Sequence, residues 1–526
     1  MKIGIDFGTT NSAVSYFDAD RDEVHTVEFG HAQNLMRYVR SCVAMRHAPT
    51  QRTTIGAEAY GHLGSPNHRV FTHFKMLVGE SDPSRLARWG FDTQHTPDGI
   101  TESFFKHLLG SITNYTNIDA TVITIPEVWL NEHQFNKRER LIQLCRRAGL
   151  PQPEACSEPL AAASYFLWLY KKNKGNEFCG HILTCDCGGG TMDFCLAKVD
   201  SYAEVAVLHR SGEGRIDTAL GSAGVAHDET VIERLFPGLR ESNLQEFYRH
   251  VNEFEQKKIT NAEDFNEWLS IYLKEPDVAI DPVVHINNAQ VFPALLAEVF
   301  SEVVAPGLKN ALDDMTNRIK TLQISTESPD RFRVLMVGGF SNYYLVRQTI
   351  MDSLSSITSA DSRFDTLFLP QDTALAISKG AALRAAGIIK EVKLCPMTVG
   401  LVVTSRVTLE KEYVEIIKQG ELVDRYRKPM ISKEKMVAPT GNAQLIIYLA
   451  IGKNKYTRVL TRTIKDLLPK SYIKNPDGSL RCGFSIDDNL VISLHVQHYG
   501  KDGRLCGDAV NTLGDMFGVA DGFILV

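Results

Sequence analysis

Two short stretches carry residues able to grip a polyphosphate and a cation. One runs from Ile182 to Asp193, where an apolar run ends in a carboxylate, Asp186. Three glycines follow (Gly188, Gly189, Gly190), then a hydroxyl, Thr191, and a second carboxylate, Asp193. The chain turns strand-like again from Phe194 to Val199, so the stretch reads as a hairpin with a glycine-rich turn. Such a turn leaves backbone N–H groups free and lets a bulky anion approach closely. Asp186 sits where strand meets turn, a good position for holding a hydrated cation. These are the requirements of a nucleoside triphosphate with Mg²⁺, although a tight hairpin with incidental acids would use the same residue types.

The second stretch repeats the plan at the start of the chain. Lys2 to Tyr16 contains an apolar strand, Asp6, Gly8, Thr9, Thr10, Asn11 and Ser12, then an alternating strand. Laying Asp6 on Asp186 lays Gly8 on Gly188 and Asn11 on Thr191. Two such hairpins, each opening one half of the segment, predict a duplicated fold with nucleotide between its lobes. Asp6 facing Asp186 would repel it unless a cation lay between them.

The elements that must position these loops are legible at low resolution. Val39 to Ala44 alternates as a strand, and Ile55 to Tyr60 opens a helix-like piece. Lys75 lies in the otherwise apolar Val70–Gly79 and either snorkels to the surface or reaches a phosphate as a point charge. Ser103 to Tyr115 has helical periodicity, and Ala120 to Ile125 is a buried strand stopped by Pro126. Asn131 to Ala148 reads as a charged helix ended by Gly149. Glu158 opens an Ala-rich helix, where it serves the helix dipole or faces metal-bound water. Gly221 to Asp228 is a turn before a helix through Phe236. Glu241 to Leu273 is polar and helical and holds Glu255 and Lys258 at a spacing common on solvated helix faces. Phe292 to Ile319 is a long helix interrupted near Pro306-Gly307. Phe332 to Ser341 runs from strand to a Gly338-Gly339 turn, where bare backbone could lie against a flat base. Pro370 to Thr373 caps a small-residue helix, Ala374–Ala386, ended by Gly387. From Pro396 the pattern is β: Thr398–Thr404, Tyr413–Lys418, Gln444–Ile451, Arg481–Ile486 and Leu490–Val496. Asp508 to Val526 leaves room for one short element. This predicts a β-sandwich of about 130 residues.

Composition narrows the function. With 57 basic and 63 acidic residues the formal charge is −6, which offers no basic field to nucleic acid. No apolar run reaches membrane-spanning length, and the chain enters a strand at once, so no signal peptide is expected. Ten cysteines show neither C-x-x-C nor zinc spacing, which fits buried thiols in a reducing cytoplasm.

Five segments in order over residues 1–387 resemble the motifs of the 70-kDa heat-shock chaperones, within the actin and sugar-kinase ATPase superfamily. They are Asp6–Ser12, Ser157–Ala163, Asp186–Asp193, Val337–Ser341 and Asp372–Ala382. Residues 395–526 resemble the family's substrate-binding sandwich more weakly, best at Gly483–Ser493. The resemblance implies an α/β fold: a duplicated, actin-like, two-lobed ATPase domain (1–387), a linker (388–394) and a β-sandwich (395–526). It implies ATP/ADP, Mg²⁺ and K⁺ as ligands. Asp6, Glu158 and Asp186 would hold Mg²⁺ through water, and Asp193 would help hold the monovalent ion. Gly8, Thr9, Thr10 and Asn11, with Gly188 to Thr191, would cradle the phosphates. Lys75 and Thr191 would align the attacking water, with Glu158 and Asp186 completing the catalytic set. Gly224, Glu255, Lys258, Gly338, Gly339 and Ser341 would line the nucleoside, with Asp372 in the second connecting motif. Implied partners are an unfolded polypeptide or a protein client and a J-domain-type co-chaperone, with no nucleic acid and no membrane.

Three departures are visible. Asn342 stands where the family has an arginine that packs on adenine. Ile388–Leu394 replaces a Leu-rich, acidic linker. No helical lid follows the strands, so the resemblance implies a divergent, lidless member. The expected activity is slow ATP hydrolysis by a chaperone-like protein. The alternatives are a sugar-type kinase of the same superfamily, which needs a catalytic Asp as base for a substrate hydroxyl, and a nucleotide-binding adaptor with little turnover.

Overall fold

Lys2–Phe7 alternates apolar side chains, and Ile3, Ile5 and Phe7 are fully buried. The strand turns back on Asn11–Asp18 in antiparallel register, with Asp6 opposite Ala13. Its other edge pairs in parallel with Ala120–Ile125. The sheet runs in the order Glu23–Thr26, Asn11–Asp18, Lys2–Phe7, Ala120–Ile125, Pro153–Ser157, with Val39–Arg40 also on Asn11–Asp18. Gly180–Cys187 does the same in a second sheet. It pairs antiparallel with Met192–Ser201, with Asp186 opposite Asp193, and in parallel with Phe332–Val337. Glu204–Glu213 and Lys390–Val392 extend that sheet. The shared plan is one antiparallel hairpin whose first strand is flanked by a parallel strand, as the repeated sequence pattern predicts. In this computed structural model the described residues are 1–30, 35–46, 52–112, 117–130, 135–213, 223–277, 281–357, 373–405, 407–437, 444–451, 454–487, 490–516 and 524–525.

Two small-residue helices pack against each other, Ala376–Ala386 on the first sheet and Glu158–Lys174 mainly on the second. Glu158–Lys174 is capped by Ser157, whose hydroxyl accepts from the Leu160 amide, and it ends at Gly175 in the left-handed region. Ala376–Ala386 ends at Gly387 with φ 79°. Glycine is needed where backbones meet: a Cβ on Gly4 would lie 2.1 Å from the Ala382 nitrogen, closer than any real contact.

By chain contacts the protein divides into two units. One comprises Met1–Val205, Arg210–Thr316 and Ser325–Lys390. The other comprises Ala206–His209, Asn317–Ile324 and Glu391–Val526. Within the second unit, one five-stranded sheet contains Lys411–Ile417, Thr398–Thr404, Gln444–Ile451, Asn454–Thr463 and Ile524–Leu525. A four-stranded one contains Met430–Ile431, Ser479–Ile486, Val491–Tyr499 and Leu505–Asp515. Residues of both share one buried cluster that includes Val399, Leu401, Leu449, Phe484, Ile492 and Leu494.

Several boundaries differ from the sequence expectation. Leu505–Asp515 is an eleven-residue strand where only one short element was expected from Asp508 onward. Its apolar residues are few and Val510 is exposed, so its pairing with Val491–Tyr499 is a backbone affair with little hydrophobic signature. Asn454–Thr463 is a further strand beyond those the sequence pattern predicts. The long helix breaks earlier than expected, into Pro293–Val303 and Ala305–Thr321, where Pro306 has no N–H to donate to the carbonyl four residues back. Glu241–Leu273 is three helices rather than one: Leu239–Ser242, Leu244–Thr260 and Ala262–Lys274. The small-residue helix starts at Ala376, two residues late. The cap proposed for it at Pro370–Asp372 lies outside the described residues, as do Gly221 and Ser222 and the start of the helix expected from Asn131. None of the ten cysteines is in a disulfide, and eight of them are buried.

Candidate functional site

The turns of the two hairpins face each other. A Cβ on Gly189 would lie 2.5 Å from Thr10 Oγ1, and one on Gly190 would lie 2.3 Å from Thr9 Oγ1. Glycine is therefore what lets the second turn sit against the first turn's hydroxyls. Gly8 closes its own turn, a Cβ there falling 2.0 Å from the Asn11 carbonyl oxygen. The Asn11 side-chain oxygen is buried without a hydrogen-bond partner among the described residues. In the second turn the Gly188 amide donates to the Thr191 carbonyl at 2.9 Å.

A cluster of ionisable groups lies beneath these turns. Phe74–Leu77 is one turn of 3₁₀ helix that places Lys75 inside, 2% exposed. Lys75 does not snorkel: its Nζ donates to Glu158 Oε1 at 2.5 Å, and Glu158 is 5% exposed. Phe7 lies under the ammonium at 5.9 Å. Burial works against the Lys75 charge, but Glu158, then Asp6 and Asp193, hold its pKa above the usual lysine value.

The acids outnumber that one cation. Burial and then repulsion from Glu158 push Asp6 up to about 7, against the pull of Lys75 and a hydrogen bond from Thr124. Asp186 is raised well above the carboxylate range by burial, then by Glu158, Asp193 and Asp6. Asp193 is raised likewise, by burial and then Glu158. Its Oδ1 accepts from the Glu127 amide at 2.6 Å, and its Oδ2 is buried without a hydrogen-bond partner among the described residues. Asp6, Asp186 and Asp193 thus interact electrostatically around Lys75 and Glu158. Among the described residues no three acidic, histidine or cysteine side chains converge as a direct ligand set. Mg²⁺, which keeps several of its waters, suits carboxylates set back from it. The surplus of buried negative charge and the open acceptors on Asn11 and Asp193 fit a hydrated cation.

The third glycine turn abuts the second. Gly338 has φ 82°, and a Cβ there would lie 2.4 Å from Asp186 Oδ1. Gly339 faces open space, and the Ser341 hydroxyl turns back onto the Gly338 carbonyl at 2.7 Å. Gly224 begins the helix Gly224–Leu235, its amide donating to Gly188 O at 3.3 Å, and the Val225 amide donates to Gly189 O at 2.7 Å. Phe340 packs where a Cβ on Gly224 would be, 3.2 Å from it.

The two charged residues expected at the nucleoside have protein partners. Lys258 Nζ donates to both oxygens of Asp228, at 2.5 and 2.6 Å, with the Phe340 ring 5.3 Å away. Glu255 pairs with Arg40, which also donates to the Tyr60 hydroxyl at 2.9 Å and lies 4.1 Å over its ring. Asp372 is outside the described residues. Asp228, Arg40, Glu127 and Phe340 were missed from sequence. Phe340 carried a signal, its place beside the Gly338-Gly339 turn. Asp228 ends the glycine-containing turn expected at Gly221–Asp228, and Arg40 and Glu127 come from segments with no motif of their own.

Comparisons with known proteins bear on the family of the chain. The family model described as Hsp70 protein matches residues 2–402. The chain is 24% identical over 390 residues to the Chaperone protein HscA homolog of Aliivibrio salmonicida, covering 69% of this chain and 55% of that one. It is 25% identical over 432 residues to Chaperone protein DnaK of Deinococcus proteolyticus, covering 76% and 62%. It is 23% identical over 441 residues to the mitochondrial iron-sulfur cluster biogenesis chaperone of Saccharomyces cerevisiae, covering 76% and 62%. The chain therefore spans less than two thirds of the length of these relatives. Among the described residues no helix is long and apolar enough to cross a membrane.

Proposed function

Since the chain belongs to the Hsp70 family, we propose that its first unit binds Mg·ATP between the two hairpins and hydrolyses it slowly, in the manner of a chaperone ATPase. The observation that carries this reading is the buried Lys75–Glu158 pair ringed by Asp6, Asp186 and Asp193. Bound Mg·ATP would supply a γ-phosphoryl group open to attack by water. The hairpin amides and the Thr9, Thr10 and Thr191 hydroxyls would orient the phosphates. Lys75, fixed by Glu158, would hold the attacking water and offset developing charge, so catalysis comes from positioning and electrostatics. Asp6, Glu158 and Asp186 would hold Mg²⁺ through water, and Asp193 a potassium ion. The nucleoside would lie along Gly224, Gly338, Gly339 and Ser341, near Lys258 and Glu255. Asp372 keeps its proposed place in the connecting motif.

The two sheets of residues 398–525 read as a β-sandwich that takes an extended polypeptide or a protein client. Support comes from the hairpin between Thr398–Thr404 and Lys411–Ile417, where Val407 is 91% and Leu409 78% exposed. Apolar side chains held this far out mark interaction surfaces when they cluster, and extended peptides suit β-rich grooves. A J-domain-type co-chaperone and a cytoplasmic setting, consistent with ten cysteines outside any disulfide, complete the proposal. The test is ATP affinity and phosphate release by the full chain, with and without an unfolded peptide. Binding and peptide-responsive release are expected. Strict dependence on a hydroxylated acceptor, or no Mg·ATP binding, would overturn the reading.

A further inference from the structure

We propose that Glu127 is a positioning residue for Asp193, locked in place by Arg210. The proposal rests on the ATPase reading above. Glu127 follows the strand Ala120–Ile125 and Pro126, and begins a 3₁₀ turn, Glu127–Leu130. Its side chain is 1% exposed. Its backbone amide donates to Asp193 Oδ1 at 2.6 Å, across from one lobe's sheet to the other's hairpin. Its carboxylate Oε2 accepts from Arg210 Nη1 at 3.0 Å, the guanidinium being 12% exposed.

Arg210 and Gly212 lie on one face of the strand Glu204–Glu213, two residues apart. Both serve this junction. A Cβ on Gly212 would sit 2.8 Å from Val128 Cγ1 and 3.0 Å from Asp193 Oδ1. The strand thus pins the Glu127 turn by charge at one position and yields space to Asp193 at the next. The end of the strand Ala120–Ile125, just before the Glu127 turn, serves the other carboxylate, since Thr124 Oγ1 donates to Asp6 Oδ1 at 3.3 Å.

A carboxylate buried near Asp193, whose own charge it opposes, sits in an unfavourable place for more negative charge. Its retention makes sense if the Arg210–Glu127 pair fixes the amide that aims Asp193. With Oδ1 held by that amide, the other oxygen, Oδ2, is left for a cation. Glu127 touches neither nucleotide nor water in this scheme; it acts through Asp193.

The test compares full-length variants. Glu127→Leu/Arg210→Leu removes both charges and leaves neither unpaired in the interior. Its turnover is expected to fall about 100-fold, the scale of an ångström misplacement. Mg·ADP affinity by calorimetry is expected to stay within about threefold, because the phosphate loops are untouched. The thermal shift that potassium gives the Mg·ADP complex should disappear. Glu127→Gln, which keeps an acceptor for Arg210, should recover most of the turnover. If the double variant fails to fold, Gly212→Ala decides, since its methyl displaces Asp193 or Val128: lost turnover supports the proposal and unchanged turnover overturns it. Wild-type turnover and potassium response in a folded double variant overturn this proposal and leave the ATPase reading standing. A wild-type chain without turnover overturns both.

Discussion

Gly380 and Ala161 meet so closely that a Cβ on the glycine would fall 1.6 Å from the alanine carbonyl oxygen. They belong to the helices Ala376–Ala386 and Glu158–Lys174, so two backbones touch with no side chain between them. The second of these helices carries Glu158, which makes the crossing part of how the charge cluster is held.

Gly380→Ala is expected to destabilise the protein by about 3 kcal/mol, the upper part of the overpacking range, because the clash is with backbone and cannot be relieved by a rotamer change. A larger residue should prevent folding. Urea denaturation of the alanine variant checks this, and an unchanged midpoint would refute the close crossing.

Lys75→Met should act on both stability and chemistry. It leaves Glu158 buried without its partner, a change of about 3–5 kcal/mol in other buried pairs. Turnover should fall roughly 10²–10³-fold, the scale of losing one charge-stabilising donor. Single-turnover phosphate release, together with denaturant midpoints, separates the two effects.

Stability should carry a pH signature from Glu229, which is fully buried and pairs with Arg240 at 3.2 Å. Burial raises its pKa to about 7, with Arg240 opposing the shift. A carboxyl raised in the folded state binds its proton more tightly there than when unfolded. Its proton therefore favours folding below the unfolded value near 4.5, and that contribution is lost as pH rises through about 7. Glu229→Gln should become more stable than wild type as pH rises from 5 to 8, by roughly 3 kcal/mol at the upper end. Melting curves across that range test the sign.

Magnesium should relieve the surplus of negative charge around Lys75. Mg·ADP at about 100 times its dissociation constant should add roughly 2.7 kcal/mol of stability, and a chelator should remove most of it. Asp186→Asn should bind the nucleotide weakly and show little of this stabilisation. A thermal shift of wild-type size in Asp186→Asn would contradict its role as a cation holder.

The two hairpins were legible because each is a local device. Asp6-x-Gly8 and Asp186-x-Gly188 encode a strand end, a turn without side chains and an acid at the junction, all within a few residues. The duplicated sheet plan followed from their repetition. Lys75 was visible as an anomaly, but whether it snorkelled or turned inward depended on Glu158, 83 residues away. The pairings Arg40–Glu255, Lys258–Asp228 and Arg210–Glu127 left no trace in spacing, since each joins segments far apart in sequence. The strand Leu505–Asp515 escaped for a related reason: its partner supplies the hydrogen bonds, and its own side chains advertise little. Local backbone chemistry, the turn glycines and the strand periodicity are written residue by residue and so belong to the sequence. Which buried charge meets which is a long-range balance of desolvation against attraction, and only the folded chain, by bringing distant segments within a few ångströms, decides it.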